Sequence, residues 1–376
     1  MIYTQFGNTG VSLSRLGFGA MRLPMKEIGG KKAVDEDLAV PLMRRAFELG
    51  VNYVDTAPYY CDSMSEPAVG KAVKGLEGKV YVSTKYPQKE ATYDEFMVRL
   101  EESLKKLDRD FIDFYHCWGF DRESFGKFTA PGGAAEAAAK AKEQGMIKRL
   151  SFSYHGKPED MSLLADSGLF CSVLVQYNLL DRSYEDAIAY AHGRGLGVVI
   201  MGPVAGGRLG GPSPAIAALL KEKSRSSAET ALRFVMSNPN VHVALSGMEN
   251  IAMVEENVRI ARMDGLLTEA ERRAVKEMME ENKRLAELYC TGCRYCMDCP
   301  EGIDIPSIFS LMNYHKIYGQ TEYARDNYKR IVNGTSWEKS KPATACVECG
   351  ACEAKCPQKI EIIRQLKETH EALYEG

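Results

Sequence analysis

The sequence predicts an α/β protein: a closed (β/α)8 TIM barrel followed by a small, mainly helical, cysteine-rich module. Three observations lead there. Eight short apolar runs alternate with longer amphipathic stretches between about Leu16 and Ile260. Eight cysteines crowd into two tight runs towards the C-terminal end. The 376 residues suit a barrel of about 250 residues with an appended domain.

The apolar runs, in order, are Leu16–Ala20, Val51–Val54, Val80–Ser83, Ile112–Tyr115, Ile147–Phe152, Ser172–Val175, Gly197–Met201 and Val241–Leu245. The stretches between them read as helices, as in Tyr93–Leu107 and Tyr184–His192. Gly50, Gly145 and Gly195 stand just before strands, where a left-handed helix end is wanted. Such alternation implies parallel strands with helices outside. A doubly wound open sheet is the competing architecture, and the lack of a G-x-G-x-x-G turn after the first run weakens it. The expected boundaries are residues 1–265 for the barrel, 266–288 for a helical linker and 289–376 for the cysteine module, with helical character over Ile305–Val332.

Hydrophobic residues at 45% and charged residues at 26% are ordinary for a globular chain able to bury a large core. A formal net charge of −3 gives no reason to expect nucleic acid or an anionic membrane as partner. No apolar stretch approaches ~18 residues, and the first residues lack a basic segment followed by an apolar run. The expectation is a cytoplasmic protein without a membrane span.

Three runs end in a polar residue able to do chemistry: Asp55, Lys85 and His116. In a parallel barrel all three fall on the C-terminal rim, where active sites of this fold lie. Tyr60 follows Asp55 within the same loop and can fold back over that rim. Any one of these positions is equally well explained as an ordinary polar strand end. Four in register are not.

These segments resemble the aldo-keto reductase family across roughly residues 1–260. Asp55-Thr56-Ala57-Pro58-Tyr59-Tyr60, with Ser65-Glu66 shortly after, is similar to the loop bearing the family's catalytic Asp and Tyr. Ser83-Thr84-Lys85 resembles the strand bearing its Lys, and Asp110-Phe111-Ile112-Asp113-Phe114-Tyr115-His116 the strand bearing its His. The resemblance implies that Tyr60 is the acid/base, Lys85 its activator, Asp55 the Lys partner and His116 the orienting group. The chemistry agrees: a carbonyl gains negative charge on oxygen as hydride arrives. Tyr is a poor acid at its ordinary pKa of about 10, and a nearby ammonium favours the phenolate. Tyr59 is the neighbouring misassignment risk, and the five-residue offset from Asp55 favours Tyr60.

The resemblance also implies NAD(H) or NADP(H) across the barrel mouth. Ser153, Gln176 and Asn178 match the carboxamide contacts, with Met201 where an aromatic residue often stacks on the nicotinamide. Gly202, Gly206, Gly207 and Arg208 belong to the loop expected over the pyrophosphate, which backbone N–H groups can approach closely. Ser246, Gly247, Met248, Glu256 and Asn257 match the adenosine end. Three positions depart from the family. Its usual Ser-Asn pair is Ser153-Tyr154, the stacking aromatic is Met201, and the Arg that clamps a 2′-phosphate is Met253. Met can pack against a ring but cannot pair with a phosphate, so the case for NADP preference weakens. Core packing is the plain alternative for both methionines.

The second cysteine run, Cys346, Cys349, Cys352 and Cys356-Pro357, has the C-x2-C-x2-C-x3-C-P spacing of bacterial [4Fe-4S] ferredoxins. The first run, Cys290, Cys293, Cys296 and Cys299-Pro300, has a last gap one residue shorter. Two [4Fe-4S] clusters are expected. One would be held by Cys290, Cys293 and Cys296 with Cys356, the other by Cys346, Cys349 and Cys352 with Cys299, because the Cys-Pro cysteine usually reaches the other cluster. Paired four-cysteine zinc sites are the alternative, though zinc ribbons usually space their cysteines as separated pairs. Cys61, Cys117 and Cys171 read as packed or rim residues, and Trp118 and His155 as pocket lining.

Barrel and tail together resemble a ferredoxin-tailed branch of the family, which implies an NAD(P)-linked reductase acting on a small carbonyl or alcohol. The second reading is an electron-transfer protein serving a partner, and the third makes the clusters structural. Hydride moves two electrons and a cluster one, so direct exchange normally needs a flavin, for which no clear motif is present.

Overall fold

The computed structural model describes residues 1–179, 181–205, 226–277, 296–316, 318–336, 339–356 and 360–375. Gly206, Gly207, Arg208, Cys290 and Cys293 lie outside the described residues, as do residues 278–288 of the expected linker. The chain divides into two compact units, residues 1–206 with 231–268 and residues 207–230 with 269–376.

Unit one is the closed parallel barrel. A short hairpin, β1 (Tyr3–Gln5) and β2 (Ser12–Ser14), comes first. The barrel then takes β3 (Leu16–Gly19), skips a second hairpin of β4 (Met25–Ile28) and β5 (Lys31–Val34), and continues with β6 (Tyr53–Asp55), β7 (Tyr81–Tyr86), β8 (Phe114–Phe120), β9 (Leu150–Tyr154), β10 (Ser172–Gln176), β11 (Gly197–Met201) and β12 (Val243–Ser246). β12 closes on β3.

All eight expected strands are present, and most run further towards their C-terminal ends than the apolar runs do. The reason is chemical. Inward-facing positions near the rim are polar, so Asp55, Lys85, His116 and Gln176 belong to strands whose hydrophobic signal has already stopped. The helix at Tyr93–Leu107 has the expected bounds. Gly50, Gly145 and Gly195 adopt φ of 99°, 76° and 83°, each just past a helix end, as expected of a residue without a Cβ. Neither hairpin was anticipated, because each strand is too short to show a period.

The lower half of the barrel is apolar. Tyr53, Phe114, Leu174, Val199, Val243 and Leu245 meet Phe6, Val11 and Leu13 from the first hairpin, which closes the N-terminal mouth. Phe6 packs edge-on to Phe114 at 5.4 Å. Fully burying a side chain of that size contributes about 1.5–3 kcal/mol. The fit is close: a Cβ on Gly197 would meet the Phe6 ring at 2.4 Å, so only glycine serves there.

His242 fixes the plug. Its Nδ1 accepts from the Val198 N–H at 3.0 Å and its Nε2 lies 3.4 Å from the Gly7 N–H. Burial, helped by His192, lowers its pKa from the ordinary 6.5 to about 4.

Unit two is helical around its own core. Ile305–Lys316 and Thr321–Val332 pack with Ile362–His370 over Ile303, Ile308, Phe309, Tyr328, Ile331 and Leu366. The helical character expected over Ile305–Val332 is present. Residues 269–277, within the expected linker, are helical, and residues 266–268 are not.

The depressed pKa of His242 makes stability depend on pH with a definite sign. Below pH 6.5 the unfolded chain takes up a proton that the folded one refuses. Stability is therefore full above pH 6.5 and falls as pH drops towards 4. Denaturant midpoints of the barrel transition should fall over that window, and His242→Gln should flatten the fall. An equally steep pH dependence in the variant would contradict this role.

Candidate active site

The site is built by period-two alternation on neighbouring strands. Asp55 ends β6, Lys85 lies on β7 and His116 on β8. The register sets Asp55 beside Ser83 and Lys85 beside His116. Lys85 Nζ donates to Asp55 Oδ2 at 2.6 Å and to the Thr56 carbonyl at 2.7 Å. Ser83 Oγ donates to the other carboxylate oxygen, Oδ1, at 2.6 Å. The Lys85 and Asp55 side chains are 2% and 5% exposed.

Tyr60 reaches this pair through an unusual loop. Cys61, Asp62 and Ser63 all take left-handed backbone, with φ of 52°, 54° and 67°. Such conformations are costly for non-glycine residues and persist only where the surroundings enforce them. Ser65 supplies part of that, donating to the Ala20 carbonyl and pairing with Thr56 Oγ1, both at 2.7 Å. Glu66, fully buried, accepts from Thr84 Oγ1 at 2.7 Å. The turn brings the Tyr60 ring to 4.7 Å from Lys85 Nζ. Trp118 packs edge-on to Tyr60 at 5.9 Å and also meets Tyr59, which is 56% exposed.

The electrostatics refine one expectation. Burial raises the Tyr60 pKa above 10, and the Lys85 ammonium pulls it only part of the way back. The net shift is upward, so Lys85 does not bring the phenol below its ordinary value here. Burial works to lower the Lys85 pKa, but Asp55 and Tyr60 overcome it and the net shift is upward, so the ammonium stays charged. Burial lowers the His116 pKa to about 4, leaving a neutral imidazole. Its Nε2 lies 3.3 Å from the Tyr53 hydroxyl. His155, beyond β9, has its pKa lowered by burial and by the Lys85 charge.

Most of the described residues expected to hold a nicotinamide nucleotide lie at or just past the ends of β9 to β12, and Glu256 and Asn257 lie on the helix Ile251–Ala261. Ser153 Oγ accepts from the Gly119 N–H at 2.8 Å. Gln176 Nε2 donates to Asp181 Oδ2 at 2.8 Å, and Asn178 Nδ2 to the Gly202 carbonyl at 3.0 Å. Met201 packs against the barrel interior, in line with core packing. Ser246 Oγ accepts from Asn257 Nδ2 at 3.1 Å, above a fully buried Met248. Met253, in contrast, is 41% exposed in the first turn of Ile251–Ala261, so core packing does not account for it. Gly247 is exposed and Glu256 half-buried. The side chain of Tyr154, in place of the family's Asn, is buried away from this surface, its hydroxyl donating to the Lys157 carbonyl at 2.8 Å.

In unit two, Cys296, Cys299, Cys346, Cys349 and Cys352 line one cavity. The backbone there suits an anionic sulfur cluster: the Glu348 N–H donates to Cys346 Sγ at 3.4 Å, and Glu348 and Gly350 take φ of 58° and 73°. Cys356 packs against the core but does not line the cavity, whereas Cys296, expected on the other cluster, does. Among the described residues no three His, Cys, Asp or Glu side chains are drawn into metal-ligand geometry. The shared cavity and the chemistry of its thiols, rather than ready-made ligand geometry, are what suit the group.

Thr56, Ser83 and Tyr53 were missed by the sequence reading. Ser83 and Tyr53 stand two residues before Lys85 and Asp55 on the same inward face, so the strand period carried the signal.

Comparison with known proteins agrees with this architecture. Residues 15–280 match the aldo/keto reductase family, and residues 289–361 match a 4Fe-4S dicluster domain. L-galactose dehydrogenase of Arabidopsis thaliana is 31% identical over 67% of this chain and 85% of its own. Pyridoxine 4-dehydrogenase of Escherichia coli is 24% identical over 67% and 91%. The solved structure of an aldo-keto reductase from Bacillus halodurans, in its holo form, superposes with a TM-score of 0.64 and 26% identity over 74% of this chain and 96% of that one. No helix among the described residues is long and apolar enough to cross a membrane. With a matched barrel and a matched tail, the chain belongs to the aldo/keto reductase family and is an oxidoreductase that carries a C-terminal 4Fe-4S dicluster domain.

Proposed function

We propose that the barrel interconverts a small aldehyde or ketone and its alcohol, using a nicotinamide nucleotide and the tetrad Asp55, Tyr60, Lys85 and His116. The observation that carries this is the buried Asp55–Lys85 pair at 2.6 Å, with its ammonium 4.7 Å from the Tyr60 ring. A charge so deeply desolvated needs a task, because an ion pair of this kind adds little net stability. When bound, the nucleotide supplies the hydride that reaches the carbonyl carbon. Tyr60 holds the proton that goes to the carbonyl oxygen, and Lys85 balances the phenolate left behind. Asp55 and the Thr56 carbonyl keep Lys85 in place. His116, kept neutral by burial, orients the oxygen without adding a charge. Trp118, Tyr59 and His155 form an aromatic edge for the substrate.

Ser153, Gln176, Asn178, Met201, Gly202, Ser246, Gly247, Met248, Glu256 and Asn257 are the described residues proposed to hold the nucleotide. Gly206, Gly207 and Arg208 remain proposed for its phosphates. Two [4Fe-4S] clusters are proposed on the eight motif cysteines, where they supply one-electron chemistry when bound. Cys349 and Val347 are exposed beside the cavity, which favours clusters that exchange electrons with a partner over purely structural ones. The domain boundaries proposed are residues 1–265, 266–288 and 289–376.

Tyr60→Phe keeps the ring but removes the proton, so carbonyl turnover should fall by about 10²–10⁴-fold with nucleotide binding intact. Lys85→Met should be comparably harmful and Tyr59→Phe mild. Because the donor is the protonated phenol and its pKa is raised, reduction should hold steady to about pH 10 and decline only above it. Near-normal turnover in Tyr60→Phe, or a dead Tyr59→Phe, would displace Tyr60 from this role.

Anaerobically purified protein should contain about eight iron and eight sulfide per chain. Stoichiometric zinc without sulfide would rule the clusters out.

Met253 cannot pair with a 2′-phosphate, so NADH should bind at least as well as NADPH in a direct titration. NADPH binding about a hundredfold tighter would mean that another residue supplies the phosphate contact.

A further inference from the structure

The N-terminal face of the barrel, opposite the catalytic rim, carries an open groove of about 490 Å³ lined by Asn8, Thr9, Lys142, Lys148, Arg149 and Cys171. Asn8 and Thr9 come from the turn of the first hairpin, and Lys142 from the last turn of the helix Ala134–Glu143. Lys148 and Arg149 immediately precede β9, and Cys171 immediately precedes β10. Four segments meet there, and they gather three cations that the proposed reaction does not use. Arg149 is held from two sides: its Nη2 donates to the Thr9 carbonyl at 3.2 Å, and its guanidinium lies over the Phe114 ring at 5.2 Å. Lys148 Nζ lies over the Phe111 ring at 4.4 Å. Among the described residues none of the three cations makes an ion pair. Asp113, whose carboxylate feels both Lys148 and Arg149, is already engaged by Arg109 at 3.2 Å and by the Val82 N–H at 3.0 Å. Glu143 is engaged by Lys140 at 3.2 Å.

We propose that this groove binds a small organic phosphomonoester with a polar body, of the polyol phosphate kind. Three like charges gathered in one groove repel one another, and an anion among them relieves that repulsion. A phosphoryl group carries about −1.5 to −2 charges at pH 7 and three acceptor oxygens, enough for all three cations. A carboxylate carries a single charge and two oxygens. Arg149 supplies the planar fork that matches phosphate, and its contacts with Thr9 and Phe114 hold it in place before any ligand arrives. Lys142 and Lys148 add point charges on exposed stems. The size and lining of the groove set the rest of the ligand. Its volume of about 490 Å³ falls within the ~300–1,000 Å³ usual for small-molecule sites and exceeds what a bare phosphate fills. No aromatic or aliphatic side chain lines it. Beside the cations it offers the Asn8 amide, Thr9 and the Cys171 thiol, which suit hydroxyl groups better than an apolar body. The groove lies across the barrel from the rim, so its occupant does not compete with the nucleotide proposed there. The site stands independently of the proposed reductase chemistry.

Cys171 reports occupancy at the groove itself. The full cluster-loaded protein is treated anaerobically with iodoacetamide, and alkylation of the Cys171 peptide is followed by mass spectrometry. The additions are glycerol 3-phosphate, glycerol, inorganic phosphate, or sodium chloride at matched ionic strength. Glycerol 3-phosphate should slow alkylation saturably, with half-protection at about 1 mM or below. Glycerol and chloride should not slow it, and inorganic phosphate should act only at higher concentration. In Lys142→Gln/Lys148→Gln, where both side chains are exposed, the half-protecting concentration should rise about tenfold, with cluster absorbance and NADH affinity unchanged. The same ligands titrated calorimetrically, with NADH saturating the rim, should give one site per chain and the same ranking, so the test does not depend on the reactivity of the thiol. Binding that is absent at about 10 mM, matched by chloride, or undiminished in the double variant overturns the proposal. Inorganic phosphate binding as well as glycerol 3-phosphate overturns the organic body of the ligand.

Discussion

The Lys85 ammonium, 2.6 Å from Asp55 Oδ2 with almost no exposure to water, is the constraint around which the upper barrel is arranged. Removing one partner of such a pair leaves a bare buried charge, at a cost of about 3–5 kcal/mol, so every group near it must serve it. Thr56 turns its carbonyl to the ammonium, and Ser83 satisfies the second carboxylate oxygen. Ser83 lies on β7 and Thr56 directly follows β6, two strands hydrogen-bonded side by side, so the backbone itself sets the geometry. The left-handed turn after Tyr60 is held against its own backbone preference by Ser65, and it delivers the phenol to the same charge.

Below that layer the barrel changes character within two residues. Asp55, Ser83 and Lys85 face a polar rim, whereas Tyr53, Phe114 and Leu174 belong to an apolar plug completed by the first hairpin. The low-dielectric floor strengthens each interaction above it. It also keeps His116 neutral and the Tyr60 phenol protonated. A single physical cause, removal of water, thus sets the protonation of Tyr60 and His116 alike.

The dicluster domain raises a matter of electron counting. Hydride chemistry moves electron pairs, and an iron–sulfur cluster passes single electrons. The cavity that gathers Cys299 from one motif with Cys346, Cys349 and Cys352 from the other explains how two separated sequence runs can act as one folded unit. Lys355, paired with Asp298 at 2.8 Å, ties the same two segments. That pair is exposed, so it adds little stability beyond the shared core of Ile303, Ile305 and Leu366.

Local pattern in the sequence was enough for the eight strands, the helix ends at Gly50, Gly145 and Gly195, the polar rim residues and the ferredoxin spacing of the cysteines. Each is a property of a few neighbouring residues: alternation, a missing Cβ, a fixed gap. Other features depend on residues distant in the chain and became visible only in three dimensions. Phe6 plugging a barrel whose Gly197 lies far along the sequence is one, and the union of Tyr53 with His116 is another. The net upward pKa of Tyr60 is a third, because the sequence displays the nearby Lys85 but not the depth of burial that outweighs it. Residue type and spacing determined which groups could meet at the rim. Their charge states were decided by the tertiary structure, because desolvation is a property of the whole enclosure rather than of any segment.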